Sequence, residues 1–82
     1  MNKNEVIYLA YVVYNLDDEP RLEIQGAFKD INKAKQMIYG TMKSDDEGAL
    51  VDKLFSNNNS DITIYNEWLD RDYVIKTIEV VA

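Results

Sequence analysis

The chain has 82 residues, 46% of them hydrophobic, with no Cys, no His and a formal net charge of -6. That length fits one domain, and the missing side chains exclude disulfides, thiol and imidazole nucleophile systems and the usual zinc ligands. The excess of acid disfavours direct contact with a phosphate backbone, because such binding is driven by Lys and Arg displacing counterions.

Residues 6–14, VIYLAYVVY, form an unbroken apolar run rich in β-branched and aromatic residues, which predicts a buried strand in the interior of a sheet. It is too short to span a bilayer, which needs about 20 residues, and Asp17, Asp18 and Glu19 follow it without a signal-peptidase site. A soluble, cytoplasmic protein is expected, with no membrane contact. Alternation along the strand splits the run into two rows. Ile7, Leu9, Tyr11 and Val13 make the better core row; Val6, Tyr8, Ala10, Val12 and Tyr14 make the other.

Residues 15–20, NLDDEP, carry turn chemistry. A second strand follows at 21–28, with Leu22, Ile24, Gly26 and Phe28 on one face and Glu23, Gln25 and Ala27 on the other, and pairs with the first as a hairpin. Asp30 is placed to cap a helix over 31–39 whose apolar positions are Ile31, Ala34, Met37 and Ile38, with Lys33, Lys35 and Gln36 outside. Gly40 ends this helix, or the helix runs on to Lys43. Ser44 and Glu47 have capping-box spacing before Leu50, Val51, Leu54 and Phe55, so a second helix is predicted over 45–55.

The run 56–60, SNNNS, reads as an exposed loop. A third strand is predicted at 61–69, with Ile62, Ile64 and Trp68 in one row, then a turn at 70–72 and a last strand at 73–81. Mixed rows in that last strand, with Lys76 among apolar residues, suggest a bulge or an edge position. The order ββααββ implies a single α+β domain: a four-stranded antiparallel sheet with the helices on one face. In the strand order second, first, fourth, third, both acidic turns lie at one end of the sheet.

The opening tyrosine-rich strand, the GAF ending at 26–28, DINKAKQMI at 30–38 and ITIYNEWLD at 62–70 together resemble small uncharacterised phage and prophage proteins of Firmicutes. The resemblance covers about half the chain and departs from that group at the helix over 45–55. It implies a mobile-element origin and a non-enzymatic role, and it supplies no functional residues.

Carboxylates are the plentiful reactive groups, but they cluster in turns and helix starts, where water keeps them ionised rather than raising one pKa as glycosidase chemistry requires. Asn57, Asn59 and Asp61 have calcium-loop spacing, yet Ile62 stands where that loop needs Gly and Trp68 where it needs Glu. No metal, no cofactor and no catalysis are expected. Two surfaces are candidates for a protein partner. One is acidic: Asp17, Asp18, Glu19, Glu67, Asp70 and Asp72, suited to a basic nucleic-acid-binding host protein. The other is aromatic: Tyr8, Tyr14 and Tyr65 on a sheet face left uncovered by the helices, suited to a partner or to a homodimer. The expected function is a phage-encoded acidic inhibitor of a host defence or nucleic-acid-handling protein, of the nucleic-acid-mimic or anti-CRISPR type. The alternative is an assembly protein that self-associates through the tyrosine-rich face.

Overall fold

A computed structural model describes residues 4–15, 19–45 and 48–81. The elements are β1 (Asn4–Tyr14), β2 (Arg21–Phe28), α1 (Ile31–Ser44), α2 (Gly48–Phe55), β3 (Ile62–Asn66) and β4 (Arg71–Val81). The strands form one antiparallel sheet in the order β2-β1-β4-β3, and the helices inserted between β2 and β3 cover one of its faces. The α+β class expected from the sequence is therefore the fold observed.

Asp30 caps α1 by accepting from the Asn32 N–H at 2.9 Å, which satisfies one of the otherwise orphaned amides of the first turn. Ala34, Ile38 and Met42 recur every four residues and share one helix face. They close over Ala10 and Val12 of β1, Tyr73 and Ile75 of β4, and Ile62 and Ile64 of β3, and Leu54 of α2 completes this buried cluster. The helix runs through Gly40 and ends at Ser44, where the Asp45 N–H reaches the Thr41 carbonyl at 3.0 Å. Tyr39 meets Phe55 edge to face at 5.8 Å and holds α2 against α1.

The structure corrects several sequence expectations. The row of β1 that faces the helices is Tyr8, Ala10, Val12 and Tyr14, with the two tyrosines packed at the margin of the core. Ile7, Leu9, Tyr11 and Val13 lie half-buried on the opposite, open face. Both rows are apolar, so hydrophobicity does not choose between them. The row with Ala10 opposite Gly26 is the one that lets a helix approach the sheet closely.

β2 is not one alternating strand. Its pairing jumps from Ala10↔Gly26 to Tyr11↔Ile24, leaving Gln25 as a bulge, which changes the face that follows. Gly26 and Phe28 face the helices, whereas Leu22 and Ile24 sit on the open face, 54% and 61% exposed. Gln25 turns inward to accept from the Thr41 hydroxyl at 3.3 Å.

Ser44 is the last residue of α1 rather than a cap for α2, which starts at Gly48; Glu47 lies outside the described residues. Lys35, expected outside, is buried and donates to the Asn57 carbonyl at 2.7 Å, its aliphatic stem lying along the core while its ammonium finds an oxygen. β3 stops at Asn66, so the turn is 67–70 and Trp68 is not in a strand. β4 starts at Arg71, lies between β1 and β3 and pairs with β1 without a register shift. Lys76 is therefore not guarding an edge: it stands on the open face, where water reaches its ammonium.

Candidate partner-binding surfaces

At one end of the sheet the 67–70 turn is built on a buried side chain. Asn66 is 1% exposed, and its Oδ1 accepts from the N–H groups of Trp68 at 3.0 Å and Leu69 at 3.1 Å. This is the local amide-to-backbone bonding by which Asn stabilises turns. Its Nδ2 donates to the Tyr73 hydroxyl at 3.0 Å, and that hydroxyl donates to Asp45 Oδ2 at 2.7 Å. Arg71 Nη1 reaches the same carboxylate oxygen at 3.0 Å, while its guanidinium lies 4.6 Å from the centre of the Tyr14 ring.

Burial first, and then the bond to Asp45, push the Tyr73 phenol far above its ordinary range, so it remains a donor wherever the fold survives. Asp70 closes the turn at φ 51, the left-handed region that Asp and Asn tolerate better than other side chains. Its carboxylate accepts from the Tyr65 hydroxyl at 2.5 Å, and that bond raises the Tyr65 phenol as well.

On this fixed backbone Trp68 is 88% exposed, with Leu69 beside it at 42%. A groove of about 640 Å³ runs from Trp68 along the free edge of β3, between Tyr65 and the Leu50 and Lys53 side chains of α2.

Of the acidic residues singled out in the sequence, Asp17 and Asp18 lie outside the described residues. Glu19, Glu67 and Asp70 are exposed, whereas Asp72 is half-buried on the open face, between Val13 and Tyr65. The two turns do share one end: the Asn15 N–H donates to the Asp70 carbonyl at 3.0 Å, and Asn15 Nδ2 lies 3.4 Å from Asp72 Oδ2. Of the three tyrosines, only Tyr65 is on the open face; Tyr8 and Tyr14 face the helices. Trp68 was missed because the sequence placed it in the third strand. The Asn66 that ends the strand four residues before Asp70 is the turn signal that would have freed it.

Comparison with protein-family models, curated proteins and solved structures finds no match.

The second surface is the open face itself. In register across β2, β1, β4 and β3, one row holds Leu22, Val13, Asp72 and Tyr65, and the next holds Ile24, Tyr11, Val74 and Thr63. Below them Ala27, Leu9 and Lys76 stand side by side, followed by the pair Ile7 and Ile78. A four-stranded sheet usually packs one face and wets the other, with polar residues on the wet side. Here the uncovered side is mostly apolar, with Asp72 and Lys76 as charges in its middle.

Proposed function

We propose that the protein is a non-enzymatic protein-binding module that engages a basic partner through the acidic end of its sheet, with Trp68 as the anchor. The observation that carries this is an almost fully exposed Trp on a turn whose backbone is held by Asn66 and Asp70. Tryptophan is over-represented among the residues that dominate binding energy, and a turn already fixed loses little entropy on binding. Glu67 and Asp70 in the same turn are exposed, as is Glu19 just before β2 at the far edge of the sheet, and such charges suit a positive groove by steering association. The carboxylate of Asp45 is occupied by Arg71 and Tyr73.

The resemblance to small phage proteins supports a finer version of the reading: a phage-encoded inhibitor that occupies the nucleic-acid groove of a host defence or nucleic-acid-handling protein. The test is capture of partners from host lysate, followed by competition between DNA or RNA and the protein for each captured partner. A partner lost with Trp68→Ala, lost again with Glu67→Lys and Asp70→Lys together, and displaced by nucleic acid is the expected result. Partners indifferent to all three changes would remove the reading.

A second reading, self-association, is favoured by the apolar open face.

A further inference from the structure

We infer that the open sheet face is the contact between two copies of this chain, stacked face to face about a two-fold axis that lies between the sheets and crosses β4 at Val74. This stands on a different face from the partner-binding turn and does not depend on it.

The size of the face suits the role. Four strands about 4.8 Å apart and some eight residues of about 3.4 Å each give roughly 500 Å² in projection. Side-chain relief takes the accessible area towards the roughly 800 Å² that a standard stable interface buries on each partner. Leu22 and Ile24 at more than half exposure, with the half-buried Tyr11, Val13 and Ile78 beside them around a buried Val74, make an apolar patch of a kind monomers seldom leave in water.

The charges choose the occupant and the orientation. Asp72 and Lys76 stand two residues on either side of Val74 on the same face of β4. If the copies stack with their β4 strands antiparallel, Asp72 of one lies over Lys76 of the other, and the reverse pair forms by symmetry. Such self-complementarity is what an isologous interface requires. Sheets stack about 10 Å apart, a gap that an Asp and the long stem of a Lys bridge together. The same axis sets Val13 against Leu9 and stacks Ile24, Tyr11 and Val74 on their own counterparts. Parallel stacking of the β4 strands would set Asp72 over Asp72 and Lys76 over Lys76, two like-charge contacts in an apolar surround, which disfavours it. Lys76 has Asp61 as its acidic neighbour within its own chain, and Asp72 has Asn15; among the described residues neither is held in an ion pair that would have to break.

The experiment is sedimentation equilibrium of the purified full chain at physiological ionic strength over a wide concentration range. A species of twice the 9.5 kDa chain mass is expected. Asp72→Lys and Lys76→Asp should each weaken the dimer by about tenfold or more. The two together should restore it to near the original affinity, because the pairs re-form with their signs exchanged. Ile24→Glu, at a residue already exposed in the single chain, should abolish the dimer while circular dichroism shows an intact fold. A chain that stays at 9.5 kDa throughout overturns the proposal, as does a dimer indifferent to Ile24→Glu. A double variant no better than either single one overturns the antiparallel arrangement.

Discussion

Asn66 is the residue on which the 67–70 turn depends, since one buried amide serves two backbone N–H groups and the Tyr73 hydroxyl at once. Leaving buried donors and acceptors unpaired costs about 1–3 kcal/mol each where water cannot reach them. Asn66→Ala should therefore lower stability in urea by about 2–3 kcal/mol, and the Trp68 emission should change because its turn loses its support. Trp68→Ala, by contrast, should leave stability within about 0.5 kcal/mol, as exposed substitutions do. Asp61 carries a pH signature on the acid side. The Thr77 N–H, donating at 2.6 Å, holds its carboxyl below the ordinary value of 3.8. A lowered folded-state pKa stabilises the fold above the unfolded value, and that contribution is lost as pH falls through the folded one. The stability difference between wild type and Asp61→Asn should be constant above about pH 5 and shrink through and below pH 4, as read by urea midpoints. A difference that grows on acidification would contradict the assignment.

At the level of elements, glycine separates two outcomes. Gly40 is an exposed position inside α1, and an added Cβ would meet nothing within 4 Å, so Gly40→Ala should stabilise the protein by about 0.5–1 kcal/mol. At Gly26 a Cβ would lie 2.8 Å from Phe28 Cζ. Gly26→Ala should destabilise by about 1–3 kcal/mol, because the half-buried ring must shift from its place against the core; thermal melts of the pair should move in opposite directions. The same elements show what a sequence reveals. The helix at Asp30, the strands and their order of appearance follow from caps and periodicity, which act locally. The bulge at Gln25 does not, because one extra residue inside an alternating run leaves the pattern of letters unchanged while moving Leu22 and Ile24 to the other face. Nor does the inward row of β1: VIYLAYVVY is apolar on both sides, and only packing against Ala34 and Ile38 decides. The meeting of the two turns at one end of the sheet was legible because turn residues announce themselves, whereas Trp68 was read as a strand residue for want of the side-chain bonds that end β3 at Asn66.

Across the whole molecule, β1 and β4 are the central pair, matched from Asn4↔Val81 to Tyr14↔Arg71, so the middle of the sheet joins the two most distant parts of the chain. Each hairpin can form from neighbouring residues, but an isolated hairpin is barely stable in water. The pairing that unites them must close a loop of roughly sixty residues at an entropic cost of about 3–4 kcal/mol before its contacts repay it. The slow step of folding is thus expected to be the meeting of β1 with β4, and topology rather than core hydrophobicity should set the rate. A circular permutant tests this: joining the termini through a short Gly-Ser linker and opening the chain in the 56–60 loop turns β4–β1 into a neighbouring hairpin without altering the sheet. In stopped-flow refolding that permutant should reach the native state faster than the original chain, with most of the gain in the folding rate and little change in unfolding. Equal folding rates would mean that the search for this one pairing is not what the chain spends its time on.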